Sequence, residues 1–132
     1  MNSSVIIVAA GKGKRFKEKI PKQYVDLGYE SIINLTIKKF LNMKEIKYIL
    51  PVINKKHIKF YNKNINKLNA SESFKKILPP CFGGNERCLS VRKGLETISK
   101  LKDNPSKVLI HDGARPLVSK KIIKKVINKL EN

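Results

Sequence analysis

Arg15, Lys22 and Asp112 are the side chains of this chain whose types and settings suit work on a phosphate. Arg15 lies near the end of the segment V-I-I-V-A-A-G-K-G-K-R-F (5–16), where an apolar run breaks into small residues and glycines and then into cations. Ala9, Ala10, Gly11 and Gly13 carry almost no side chain, so backbone N–H groups there can approach a ligand closely. Lys12, Lys14 and Arg15 set positive charge beside that bare backbone. Strand, exposed amides and cations together suit a polyphosphate. Lys22, in P-K-Q, follows just beyond and is within reach of a phosphate, although a solvated surface lysine is the plainer account of it in isolation. Phosphoryl and nucleotidyl transfer need positioning and positive charge more than covalent help from the protein.

Asp112 sits at the mouth of the apolar run that ends at His111, followed by Gly113. A carboxylate there can hold Mg²⁺ directly or through water, and Mg²⁺ is how a protein manages a triphosphate. In isolation a turn aspartate bonding its own backbone is the better account of it. Opposite a cationic glycine loop, the metal reading is the stronger. Arg115 binds phosphate or pairs with an acid. His111, by strand alternation, points to the other face and reads as packed. In G-G-N-E-R-C-L-S-V (83–91) the glycines make a turn and Asn85 or Glu86 begins a helix. Backbone amides and Ser90 there can contact a base or ribose, and a simple helix start explains the residues nearly as well.

Two better-known phosphate loops are excluded. No glycine is followed by Lys-Ser or Lys-Thr at P-loop spacing. Gly11 and Gly13 begin a dinucleotide fingerprint, but Phe16 stands where its third glycine belongs, and Asn54 rather than an acid follows the second apolar run. Cys81 and Cys88 make neither a disulfide framework nor a metal site, since no histidine lies at ligand spacing from them.

The elements that must position these groups alternate. A first strand ends near Ala9, and Pro21 argues against a continuous helix after the loop. Ser31 caps a helix to about Asn42, with Ile32, Ile33, Leu35, Thr36, Ile37, Phe40 and Leu41 on a broad face. Ile46 to Ile53 is a second strand. Asn54 caps a lysine-rich helix to about Leu68, with Ile58, Tyr61, Ile65 and Leu68 on one side. Phe74 to Leu78 reads as a third strand ended by Pro79 and Pro80. A helix follows to about Lys100, then a fourth strand over Lys107 to His111. Ser119 caps a last helix, with Ile122, Ile123, Val126, Ile127 and Leu130 facing the core. The order β-α-β-α-β-α-β-α predicts a parallel sheet with helices on both faces. Ligands bind such sheets outside the carboxyl ends of the strands. The loops after the first, third and fourth strands therefore share one edge, and their convergence is the argument for a site.

The 132 residues allow one domain with a real core. The hydrophobic fraction of 41% is that of a folded protein. No apolar run approaches the ~20 residues of a membrane helix, and Met1 to Ser4 is too short and polar for a signal peptide. A cytoplasmic protein is the expectation. The formal net charge of +19 comes almost wholly from lysines, with arginines only at 15, 87, 92 and 115. They are spread along the chain rather than gathered in a stripe, which argues for solvated helix faces and against specific nucleic-acid binding.

Taken together, A-A-G-K-G-K-R (9–15), P-K-Q-Y (21–24), G-G-N-E-R-C-L-S-V (83–91) and H-D-G-A-R-P (111–116) resemble the 2-C-methyl-D-erythritol 4-phosphate cytidylyltransferases in order and spacing. The resemblance covers essentially all of this chain but not all of the family protein, which continues well past Asn132. It implies a Rossmann-like, mostly parallel α/β sheet of the nucleotide-diphospho-sugar transferase type, truncated at the C-terminus, with residues 1–132 as a single nucleotidyltransferase domain. It implies a Mg²⁺-dependent transfer of CMP from CTP to methylerythritol phosphate in non-mevalonate isoprenoid biosynthesis. By motif position, Arg15 and Lys22 match the cations that stabilise the transition state. Ala9, Ala10, Gly11 and Gly13 match the CTP loop. Gly84, Asn85 and Ser90 match the cytidine-recognition segment, Gly113 stands where alanine is also usual, and Asp112 matches the magnesium aspartate. Asn85 often corresponds to an aspartate. The family's later segment supplies a homodimerisation arm, the groups that grip methylerythritol phosphate, and a further catalytic lysine and metal-site aspartate. Alternatives are a ribitol-5-phosphate cytidylyltransferase, a non-catalytic truncated fragment, and a basic binding module.

Overall fold

The computed structural model describes residues 2–11, 20–103 and 105–131. The first strand, β1 (Ser3–Ala9), is buried along its whole length, as an unbroken apolar run flanked by two strands must be. A short antiparallel pair follows, β2 (Asp26–Leu27) and β3 (Glu30–Ser31), turned at Gly28 with φ +77°. Helix α1 (Ile32–Leu41) begins at Ser31, whose side chain accepts the Asn34 N–H. Strand β4 (Ile46–Ile53) leads through an Asn54-capped 3-10 turn to α2 (Ile58–Ile65) and a further 3-10 turn ending at Leu68. A two-residue strand, β5 (Cys81–Phe82), precedes α3 (Arg87–Ser99); β6 (Lys107–Asp112) and α4 (Lys120–Glu131) complete the order. Ser119 caps α4 by accepting the Ile122 N–H.

The main sheet runs β5-β4-β1-β6, with every pairing parallel. The chain moves outward from β1 to β4 and β5, then crosses back to the far side of β1. The sheet is therefore doubly wound, and its direction of winding switches between β1 and β6. One face packs α1, α2 and α4 on Val5, Ile7, Ile49, Ile53 and Leu109. The other packs α3 on Ile6, Val8, Leu50 and Val52. The expected helices on both faces are present, three on one side and one on the other.

The third strand is corrected. Phe74–Leu78 is not a strand: Glu72–Lys76 forms a 3-10 turn capped by Ser71, which accepts the Ser73 N–H. Only Ile77 bridges to Ile49, and the ladder resumes at Cys81 and Phe82. Pro51, in the interior of β4, explains the gap. Ile49 and Ile53 turn their carbonyls to the β5 side, accepting from Leu78 and Gly83. Pro51 shares their parity, so its missing N–H falls where no partner strand runs, opposite Pro79 and Pro80.

Helix α4 also departs from expectation. Ile123 and Ile127 are buried, but Ile122, Val126 and Leu130 are 55%, 45% and 49% exposed. They stand beside β6, which among the described residues pairs on one side only.

Candidate functional site

The carboxyl ends of β1 and β6 flank the point where the winding reverses. A cavity of about 190 Å³ opens there. Val8 and Gly11 form its floor, Gly84, Asn85, Glu86 and Arg87 one wall, Ser90 its back and Asp112 its opposite lip. Two further hollows share its walls. One of about 160 Å³ runs past Ala9, Gly11 and Asp112 to Lys22, Gln23 and Ala114. The other, about 390 Å³, lies between Ala10, Gly83, Gly84 and Asn85 and the stretch Asn54, Lys55 and Lys56. The described part of the first loop, Ala9 to Gly11, meets the loops after the third and fourth strands in this cleft.

Each wall has a local cause. Helix α3 lies close to the sheet because its inward stripe is small, Ser90 and Gly94 before Ile98. A Cβ on Gly94 would come within 2.9 Å of Ile6 Cγ2 and 3.2 Å of Val52 Cγ2. That approach carries Ser90, 1% exposed, to the end of β1. Its hydroxyl lies 3.5 Å from the Gly84 carbonyl. Gly83 is wedged between Ala10 and Ser90, where a Cβ would stand 2.5 Å from Ala10 Cβ and 2.3 Å from Ser90 Oγ. Helix α3 starts at Glu86 without a side-chain cap.

Lys22, Gln23 and Tyr24 form a 3-10 turn behind Pro21. Tyr24 anchors it: buried, stacked on Phe60 at 5.7 Å and edge-on to His57 at 5.9 Å. Burial pushes its hydroxyl pKa upward, so it stays neutral. Lys22 is exposed at the cleft, while Gln23 is buried and donates to the carbonyls of Ala9 at 2.9 Å and Gly11 at 3.1 Å.

Asp112 Oδ1 accepts the Ala114 N–H at 3.0 Å, the turn bond that its plainer reading anticipates. Oδ2 lies 3.6 Å from Arg115 Nε, and the carboxylate remains 43% exposed to the cleft. Arg115, 78% exposed, thus takes the acid-pairing option. His111 packs edge-on against Phe40 at 5.4 Å, with Nε2 2.9 Å from the Arg115 carbonyl, as a packed histidine. Gly113 donates its N–H to Val8 at 2.8 Å and accepts from Thr36 Oγ1 at 3.0 Å. A Cβ there would come within 2.9 Å of Ala9 Cβ, so Gly113 supports the loop from behind.

Ala9, Ala10, Gly11, Lys22, Gly84, Asn85, Ser90 and Asp112 are therefore brought to one cleft. Gly13 and Arg15 lie outside the described residues. Glu86, Arg87, Lys55, Lys56 and Gln23 are site-lining residues that the sequence reading did not single out. Glu86 and Arg87 belong to the quoted G-G-N-E-R, and Gln23 adjoins Lys22, so motif neighbourhood was the available signal. Asp112 and Glu86 are the carboxylates of the cavity between β1 and β6, and no group of three or more His, Cys, Asp or Glu poised for a metal occurs among the described residues. One or two carboxylates facing a phosphate site fit Mg²⁺, which takes its other ligands from phosphate and water.

A doubly wound sheet with a glycine-lined cleft at its switch point places the chain among the α/β proteins that bind ligands beyond the carboxyl ends of their strands. The sequence model of the family described as "IspD: 2-C-methyl-D-erythritol 4-phosphate cytidylyltransferase" matches residues 3–132, and the chain belongs to this family. It is 41% identical over 129 residues to the "Bifunctional enzyme IspD/IspF" of Wolbachia pipientis wMel, covering 98% of this chain and 31% of that one. It is 43% identical over 125 residues to the 2-C-methyl-D-erythritol 4-phosphate cytidylyltransferase of Alkaliphilus oremlandii, covering 95% and 50%. Its fold matches the crystal structure of 4-diphosphocytidyl-2C-methyl-D-erythritol synthase from Anaerococcus prevotii with a TM-score of 0.75 at 27% identity, covering 98% of this chain and 51% of that one. The chain thus spans about half the length of the single-function relatives and about a third of the bifunctional one. No helix among the described residues is long and apolar enough to cross a membrane.

Proposed function

We propose that this chain is the nucleotide-binding domain of a cytidylyltransferase that transfers CMP from CTP to 2-C-methyl-D-erythritol 4-phosphate in isoprenoid biosynthesis, in the cytoplasm. The observation that carries the reading is the meeting of the glycine loop, the G-G-N-E-R segment and Asp112 in one cleft of a family member. The triphosphate lies along Ala9, Ala10, Gly11 and Gly13, where backbone N–H groups and the cations Lys22 and Arg15 meet its charge. The cytidine lies toward Gly84, Asn85 and Ser90, in the space that the small stripe of α3 opens. Gly113 holds the loop from behind. A phosphate oxygen of the acceptor bonds to the α-phosphorus, the bond to the bridging oxygen breaks, and pyrophosphate leaves with that electron pair. Lys22 and Arg15 act where negative charge builds up on the phosphoryl oxygens. Asp112 would hold Mg²⁺, which when bound neutralises phosphate charge. The net charge of +19 draws anionic substrates in.

The test is pyrophosphate release with Mg²⁺, comparing CTP with ATP and methylerythritol phosphate with ribitol phosphate. Release that requires CTP and methylerythritol phosphate supports the reading. Release with ribitol phosphate transfers the chain to that acceptor. A chain that binds no CTP refutes the nucleotide site itself.

A further inference from the structure

We propose that Gln23 is the positioning residue that holds the phosphate loop in its anion-binding form. The inference rests on the reading of the cleft as a nucleotide site. Two carbonyl oxygens, of Ala9 and Gly11, converge on one buried side-chain nitrogen at 2.9 and 3.1 Å, both within good hydrogen-bond geometry. Carbonyls only accept, so the end of the amide that faces them is the nitrogen, and both of its hydrogens are used. Sequence separations of 14 and 12 make this a clamp between two segments.

The consequence is electrostatic. A loop that cradles phosphates must turn its N–H groups toward them and its carbonyl oxygens away, since those oxygens repel an anion. In a trans peptide the C=O and the N–H that follows it point to opposite sides, and no described peptide is cis. Tying the Ala9 carbonyl to Gln23 therefore commits the Ala10 N–H, across the same peptide, to the far side, and the second bond holds the Gly11 carbonyl on the Gln23 side with it. Among the described residues nothing crowds Gly11, and its φ is not positive, so its own backbone does not enforce this orientation. Gln23 does, from a turn that Tyr24 fixes in the core. The same turn presents Lys22 at the cleft, so one short element both shapes the loop and places a cation beside it.

The distinguishing readout is the preference for triphosphate over monophosphate. The affinities of the full chain for CTP and CMP with Mg²⁺ are measured by calorimetry for wild type, Gln23→Leu and Gln23→Glu. Leucine has no donor. An ionised glutamate has none either, but a protonated one recovers a single donor. The expected result is a CTP-to-CMP affinity ratio that falls about tenfold in Gln23→Leu while CMP binding changes little. In Gln23→Glu the ratio, taken relative to wild type at each pH, rises again as pH falls. A mere loss of stability lowers both affinities together and leaves the ratio alone, which would overturn the clamp. A wild-type chain without preference for CTP over CMP would overturn the underlying reading as well. A wild-type preference kept intact in both variants would overturn the clamp alone.

Discussion

Alanine at Gly83 and alanine at Gly11 separate two uses of glycine in one cleft. At Gly83 the new methyl would stand 2.5 Å from Ala10 Cβ and 3.0 Å from Ser90 Cβ, with Ser90 Oγ at 2.3 Å. Carbon atoms in good contact sit about 3.5–4.0 Å apart. The hydroxyl can rotate away, but the two Cβ atoms are fixed to backbone, one just past the end of β1 and one on α3. The walls must therefore part by roughly 1 Å, and overpacking of this kind costs about 1–3 kcal/mol. Alanine restricts the unfolded chain, which offsets about 0.4–1 kcal/mol of that. Gly83→Ala should thus lose roughly 1–2 kcal/mol in urea unfolding and weaken CTP binding, because the displaced atoms are walls of the site. At Gly11 nothing among the described residues lies within 4 Å of the added methyl. Gly11→Ala should be neutral or up to about 1 kcal/mol more stable, yet it places a methyl where the phosphates approach and should weaken CTP about tenfold or more. The assays are urea titration and calorimetry with CTP on both variants. A Gly83→Ala chain within about 0.5 kcal/mol of wild type, or a Gly11→Ala chain binding CTP at full strength, would refute the reasoning.

Three other outcomes are expected. Lys22→Ala should keep the fold within about 0.5 kcal/mol, since Lys22 is exposed, while pyrophosphate release drops on the order of a hundredfold; unchanged rates would remove its assignment. Asn34 is fully buried, donating to Glu30 Oε1 at 2.9 Å and the Asn64 carbonyl at 2.8 Å, so Asn34→Ala should cost about 2–3 kcal/mol in urea unfolding by leaving buried acceptors unpaired. Burial raises the Glu30 pKa, but hydrogen bonds from Lys38 and Asn34 and the Lys38 charge together leave it lowered from 4.5. Its contribution is therefore complete above about pH 4.5 and lost as pH falls through the lowered value. Wild type should exceed Glu30→Gln in stability at neutral pH, and the gap should close in acid; a gap independent of pH would contradict the assignment.

The convergence of these loops on one cleft is legible because its signals are local. Small residues at 9, 10 and 11 and an acid at the end of a strand are properties of short windows, and the parallel-sheet rule then brings distant windows to one edge. Gln23 was not legible as a clamp because its meaning depends on partners 12 and 14 residues away. Asn34 stayed hidden for the same reason: on an amphipathic helix it reads as polar and solvated, yet its partners are Glu30 and the end of α2. The third strand was misread because F-K-K-I-L has strand composition while its backbone obeys its flanks. Ser71 caps a 3-10 turn at one end, and Pro79 and Pro80 prevent pairing at the other.

Helix α4 shows the limit of periodicity most plainly. Ile122, Ile123, Val126, Ile127 and Leu130 do fall on one apolar side, as their spacing requires. Spacing says which side is apolar and nothing about how much of it a neighbour covers. Here Ile123 and Ile127 join the core that includes Phe40 and Leu109, because α1 and β6 are the elements in reach. Ile122, Val126 and Leu130 lie further round the helix, next to a β6 edge that carries no second strand, and each keeps close to half its surface. A core assignment from sequence is therefore a statement about two elements, and it fails first at the margin of a sheet, where only one of them is present.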